Sequence, residues 1–244
     1  MGNHKEIGMD SKPPQLHGDQ EPSKNVRKHF QQLFMFLMIA AVFLFASAGT
    51  LVWVWAWAYV AIYILFNAVM LNILPKELLA ERGQSHTGVK NWDRILMGIG
   101  IPFGFTVFLI AGLDVRYHWS PAWGIYLHLT GLMLFILGNA LIGWSMASNK
   151  FFSMGVRIQH EREHAVASGG PYKFVRHPGY AGIIINAVST PLLLGSLWAF
   201  IPALLSACLF AVRTGLEDRT LRQELEGYKQ YSEQVRYRLL PGIW

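Results

Sequence analysis

From Leu33 to Leu74 the chain contains no Asp, Glu, Lys or Arg. That run is about 42 residues, or about 63 Å of helix, close to two bilayer cores laid end to end. Further uncharged runs extend over Ile95–Leu113, Tyr117–Asn149 and Pro178–Val212, in a chain of 244 residues that is 52% apolar and 15% charged. These runs predict an all-α, polytopic transmembrane protein with about six membrane segments. The first run folds back at Ser47-Ala48-Gly49-Thr50, and single spans follow near 95–113 and 122–147. A second hairpin turns near Gly195-Ser196.

Six crossings leave both termini on one side. Every Lys and Arg except Arg116 falls on that side in this topology. Cytoplasmic loops carry the excess of positive residues, so both ends are expected in the cytoplasm. The net charge of +6 then reads as topology plus attraction to anionic membrane lipids, and not as a nucleic-acid footprint. A single cysteine, Cys208, rules out an internal disulfide and a thiolate metal cluster, and is expected to be buried and inert. No metal site is expected.

Residues 1–29 are polar, carry Pro13-Pro14 and lack apolar periodicity, which predicts a disordered tail. Ala46-Ser47-Ala48 has the small residues of a signal-peptidase site. The long polar lead and the apolar sequence that follows favour an uncleaved hairpin. Trp53, Trp55, Trp57 and Tyr59 read as interfacial anchors. Asn67, Asn72, His118, His128 and Asn139 lie in or beside the apolar runs, where polar groups either bond between helices or serve function. Residues 30–148 thus form a first set of transmembrane helices. Residues 149–244 contain a basic loop, the second hairpin and a tail over 216–238 whose Leu216, Leu221, Leu225, Tyr228 and Tyr231 suit an amphipathic helix bent near Gly227.

The chemistry-bearing residues cluster in Gly169-Gly170-Pro171-Tyr172-Lys173-Phe174-Val175-Arg176-His177-Pro178-Gly179-Tyr180-Ala181-Gly182. Gly169 and Gly170 allow close backbone approach. Tyr172 and Tyr180 offer aromatic faces to a ring or a cation. Arg176 can pair with a carboxylate, His177 can donate or accept, and Pro178 starts a helix. A second cluster, Glu217-Asp218-Arg219, follows the last apolar run, and the sequence closes on Leu240-Pro241-Gly242-Ile243-Trp244. Each cluster also has a bland reading. The first could be a basic, Pro-ended membrane boundary, and Glu217 and Asp218 could sit at the N-terminal end of a tail helix.

From roughly residue 130 onward these motifs resemble the isoprenylcysteine carboxyl methyltransferase-like family of integral-membrane methyltransferases, which takes in phospholipid N-methyltransferases. The resemblance implies S-adenosyl-L-methionine as cofactor, bound on the cytoplasmic side of the C-terminal region. It implies cofactor contacts from His164, Gly170, Pro171, Tyr172, His177, Pro178, Tyr180, Gly182 and Glu217. Arg176 and Glu217 are expected to orient the acceptor or stabilise charge near the reacting group. Asp218 stands where the family has a second Glu, one methylene longer. In-line methyl transfer asks mainly for positioning and exclusion of water.

Family members methylate a prenylated cysteine carboxylate, a phospholipid amine or small thiols, so a lipophilic or small-molecule acceptor is the expected partner. An isoprenylcysteine-type carboxylate is the nominal choice, and the oligomeric state is left open. Sterol-reductase-type NADPH enzymes have a similar C-terminal region but commonly carry Asn after the Pro and an acid after the Gly, where this chain has Gly179 and Ile183. A transporter or membrane scaffold is the non-enzymatic alternative, and the repeated halves common in transporters are not found.

Overall fold

The computed structural model describes residues 22–84 and 88–244, and all regular structure among them is helical. Helix α1 covers Pro22–Ala48 and α2 covers Val54–Ile73. The turn between them contains Gly49 in the left-handed region, at φ 67°, in the stretch where the sequence predicts a reversal. A short α3 (Lys76–Gly83) follows Pro75, and α4 is Asn91–Tyr117. Helix α5 is Ile125–Ala147. Residues 149–177 contain two 3-10 turns, His160–Arg162 and Gly170–Lys173. Helix α6 (Pro178–Leu194) begins on its proline and ends at Gly195, φ 78°. Helix α7 is Phe200–Glu224 and α8 is Tyr228–Gln234.

Five helices, α1, α2, α4, α5 and α7, are long and apolar enough to cross a membrane, and α6 is a shorter apolar helix of 17 residues. This is a polytopic helical membrane protein, as the uncharged runs predict, with five helices of spanning length where about six segments are expected. Many of the large apolar side chains left exposed, among them Phe34, Val42, Ile64, Leu137 and Leu204, belong to those helices, where lipid tails replace water as solvent.

The most extensive helix contact joins α5 to α6. A Cβ on Gly182 would stand 2.7 Å from the Gly138 carbonyl oxygen, and one on Gly131 would stand 2.3 Å from the Leu193 nitrogen. Close approach of this kind through small residues is a main source of helix association in lipid. At the end of the bundle holding the α1–α2 and α6–α7 turns, buried Asp114 accepts the Ser120 N–H at 2.7 Å and the hydroxyls of Ser120 and Ser196. There His128 Nδ1 donates to the Leu193 carbonyl at 2.8 Å, and its ring stacks on Trp55 at 4.4 Å. The opposite end holds α3, the 149–177 segment, the C-terminal part of α7, and α8.

Several expectations are corrected. The tail predicted to be disordered over 1–29 is already helical from Pro22, because Asn25 and His29 are buried where α1 meets α3. A Cβ on Gly83 would lie only 2.0 Å from the Asn25 carbonyl oxygen. The remainder of that tail, 1–21, lies outside the described residues. The aromatic stripe is mostly core: Trp53 and Tyr59 are buried and Trp55 stacks on His128, so Trp57 alone of the four stands exposed. Asn67, Asn72 and Asn139 each donate to the carbonyl four residues back on their own helix, while His118 ends α4 in the left-handed region. Cys208 is exposed. On a lipid-facing helix a small apolar thiol needs no protein burial.

Candidate active site

A cavity of about 280 Å³ opens at the α3–α8 end of the bundle, close to the lower end of the roughly 300–1,000 Å³ usual for small-molecule sites. Its walls come from several parts of the chain. Residues 149–167 form one side, and the start of α6 supplies His177, Gly179, Tyr180 and Ile183. Helix α7 contributes Phe210, Arg213, Glu217 and Leu221, and the tail adds Leu225, Tyr228 and Tyr231. Arg82 of α3 and Met97 of α4 close it on the remaining side.

Of the residues singled out in the sequence, His164, Tyr172, Arg176, His177, Tyr180 and Glu217 all line this cavity. Gly170, Pro171, Pro178 and Gly182 do not, although each sits next to a residue that does or within the same turn. Gly170 has φ 55°, and a Cβ there would meet the Ser148 hydroxyl at 2.2 Å, so this glycine lets the turn press on the end of α5. Pro171 and Pro178 occupy the first turns of their helices, where a missing N–H costs nothing. Gly182 faces α5. These four shape the site from behind.

The half-buried Glu217 accepts the Tyr180 hydroxyl proton at one carboxylate oxygen. Tyr180 is braced by Phe210, ring centroids 5.8 Å apart, and by the Arg213 guanidinium 5.2 Å over its face. Arg213 is itself fixed by buried Asp93, Nε to Oδ1 at 2.6 Å and Nη2 to Oδ2 at 3.1 Å, and it donates to the Met154 carbonyl at 2.8 Å. Asp93 also accepts the Val156 N–H at 2.8 Å. This pair ties α4, α7 and the 153–156 strip to one another beside the cavity.

His164 stacks against Phe151, centroids 4.5 Å apart, and its Nδ1 accepts the Gln159 N–H at 3.3 Å. The ring proton is therefore assigned to Nε2. Burial, followed by the nearby Arg157 and Arg162, lowers its pKa to about 4, so the imidazole is neutral near pH 7. The loop that carries it is anchored to α3 by the buried Arg157–Glu81 pair at 2.8 Å. Burial pushes the Tyr172, Tyr228 and Tyr231 hydroxyls well above their ordinary range, so all three remain protonated donors.

Asp218, 1% exposed, faces the other way from Glu217, as neighbours on a helix do. Arg176 donates to it through Nε at 2.7 Å and Nη2 at 3.1 Å, Tyr228 through its hydroxyl at 3.0 Å, and Arg238 through Nε at 3.0 Å. His177 Nε2 lies 3.5 Å from the same carboxylate. Arg176 Nη1 further donates to the Val235 and Arg236 carbonyls at 2.7 and 2.8 Å. The backbone N–H groups of Arg176 and His177 donate to the Tyr237 and Arg238 carbonyls, both at 2.9 Å. The acid pair does not cap a tail helix: both residues lie in the later part of α7, and Gly227 at φ 78° separates α7 from α8.

Sequence reasoning missed Asp93 and Arg213, which are charged residues at the ends of apolar runs and thus carried a signal. It also missed Arg82, Asn149 and Phe151, which stand in loop-like sequence without one.

The fold and cavity define a polytopic helical membrane protein with a charged and aromatic cavity at one end of the bundle. Residues 131–223 match the profile of the isoprenylcysteine carboxyl methyltransferase family, a span that holds most of the cavity's walls. Similar proteins include a probable protein-S-isoprenylcysteine O-methyltransferase from Oryza sativa subsp. indica, 28% identical over 122 residues, covering 45% of this chain and 59% of the relative. Protein-S-isoprenylcysteine O-methyltransferase B from Arabidopsis thaliana is 27% identical over 124 residues, covering 50% of this chain and 60% of the relative. The chain spans about three fifths of the length of these curated relatives.

Proposed function

We propose that this chain is a membrane methyltransferase that uses S-adenosyl-L-methionine and acts on the carboxylate of a lipophilic thioether of the S-isoprenylcysteine kind. The observation that carries this reading is the Glu217–Tyr180 pair, set in a cavity whose walls are drawn largely from the segment matching the family. The donor set suits such a cofactor, which presents a cationic sulfonium, an ammonium group, ribose hydroxyls and a flat base. Glu217 is an anion for the positive groups or the ribose. Tyr172 and Tyr180 offer faces, and His164 Nε2 is a donor without added positive charge. Bound there, S-adenosyl-L-methionine supplies an electrophilic methyl group on sulfur.

The rest is work for the chain's own residues. Glu217 orients the cofactor and stabilises positive charge at the cavity wall. Asp93 and Arg213 hold Tyr180 in place through the stack on its ring. Arg176 and His177, whose donors are turned toward Asp218 and the 235–238 backbone, position the tail that closes the cavity over α7. Arg176 thereby acts through the tail, in place of the direct part in acceptor orientation expected from sequence. Aromatic walls exclude water, which protects a reactive sulfonium.

In this reading residues 149–244 hold the cofactor, and 30–148 shape the path by which the acceptor enters from the lipid. The basic end of the bundle faces the cytoplasm, with both termini there. The test is transfer of labelled methyl from S-adenosyl-L-methionine to N-acetyl-S-farnesylcysteine by protein reconstituted in vesicles. A base-labile methyl ester is expected. Absence of transfer by folded protein, or consumption of NADPH instead, would overturn the reading.

A further inference from the structure

Arg82 is the one cavity residue contributed by the short helix α3, far from the segment that matches the family. Its surroundings differ from those of the other cavity arginines. Arg176 and Arg213 are each bound in fork fashion by an aspartate, and Arg157 pairs with Glu81 and Glu161. Arg82 has no carboxylate within ion-pair distance among the described residues. Its Nη2 meets only the Met154 thioether, at 3.1 Å, and its guanidinium lies 5.5 Å above the Phe152 ring. The Nε is buried with no hydrogen-bond partner.

A guanidinium is a strong five-donor group, and leaving a buried donor unpaired is costly. Burial also drags its pKa down to about 10, opposed only in part by the Tyr63 hydroxyl. Adjacent Glu81 does not relieve it, being held by Arg157 at 2.8 Å and near Arg162 at 3.7 Å. An unsatisfied cation in a cavity wall otherwise lined by Met97, Phe151, Phe152 and Met154 suits a ligand with an anionic head and an apolar body.

We infer that Arg82 binds the carboxylate of the methyl acceptor, so that the cavity selects anionic acceptors over amines. This rests on the methyltransferase reading. A planar carboxylate matches the guanidinium fork and satisfies the orphaned Nε, whereas an ammonium group would be repelled. The S-adenosyl-L-methionine carboxylate has the same chemistry, so the test separates the two sources.

Binding of N-acetyl-S-farnesylcysteine and of its neutral carboxamide is measured on purified protein in one detergent, for wild type, Arg82→Gln and Arg82→Lys. Affinity for S-adenosyl-L-methionine is measured alongside. Wild type is expected to prefer the acid, and Arg82→Gln to lower that preference by about 10- to 100-fold, as loss of a charged hydrogen bond does. Arg82→Lys, which keeps the charge and loses the fork, should lower it only a few-fold. Cofactor affinity should stay within about twofold throughout.

An unchanged acid-to-amide ratio in Arg82→Gln would overturn the inference. So would a loss of cofactor affinity with the ratio intact, which would assign Arg82 to the cofactor. If the glutamine variant does not fold, an unchanged ratio in Arg82→Lys overturns it equally. Failure of wild type to bind the cofactor at all is a different result, and counts against the methyltransferase reading itself.

Discussion

Glu217 and Asp218 are adjacent acids with separate employment. Glu217 looks into the cavity with Tyr180, and Asp218 is the hub that joins Arg176, Tyr228 and Arg238. Asp218→Asn leaves buried Arg176 and partly buried Arg238 short of a charge, and removing one member of a buried pair costs about 3–5 kcal/mol. The variant is expected to unfold at lower temperature in detergent and to expose residues 225–244 to protease first. A thermal midpoint equal to wild type would contradict this role. His164 makes a pH prediction. Its folded pKa of about 4 lies below the ordinary 6.5, so between those values the unfolded chain binds the extra proton. Its contribution to stability is complete above pH 6.5 and is lost as pH falls toward 4. His164→Gln should lose less stability than wild type between pH 7 and pH 5, measured by chemical unfolding. The acids and the histidine were legible as residue types. What Asp218 binds was not, because its partners lie far along the chain at 176 and 238.

The elements were legible where polarity alone defines them. Uncharged runs marked the membrane helices, Gly49 and Gly195 sit at both hairpin turns, and Gly227 broke the tail where its spacing faltered. The misreadings came where tertiary packing decides. Helix α1 starts earlier than its apolar run because Asn25 and His29 find burial against α3, and α3 itself is too short and too polar to announce itself. The glycines divide similarly. Gly182 lies in the motif yet serves the α5–α6 contact, and Gly182→Val would force bulk against the Gly138 carbonyl. Overpacking of this sort costs about 1–3 kcal/mol. Gly182→Val should lower the unfolding midpoint, and a wild-type midpoint would show that the helices do not approach as closely as described. Cofactor binding in the folded fraction should change less than it does on altering Glu217.

On the scale of the whole molecule, two polar ends flank an apolar bundle: Asp114, Ser120, Ser196 and His128 at one, the cavity and its ion pairs at the other. The distribution of Lys and Arg was readable from sequence and supports cytoplasmic exposure of the cavity end. That orientation predicts a labelling pattern. In a Cys208→Ser background, a cysteine replacing Trp119 should react with an impermeant maleimide from outside intact cells, and one replacing Lys229 should react only after permeabilisation. The reverse pattern would invert the topology. The cavity as a volume was not legible, since its walls come from α3, α4, the 149–167 segment, α6, α7 and α8, whose convergence depends on packing across the chain.

The central claim is that Glu217 stands in a cofactor site, and calorimetry with S-adenosyl-L-methionine on purified wild type and Glu217→Gln tests it most directly. Micromolar-range binding to wild type, weakened at least tenfold in a variant that keeps the wild-type unfolding midpoint, is the expected result; a charged hydrogen bond of about 1.5–3 kcal/mol accounts for that factor. Equal affinity in the two proteins, or none in folded wild type, would contradict it.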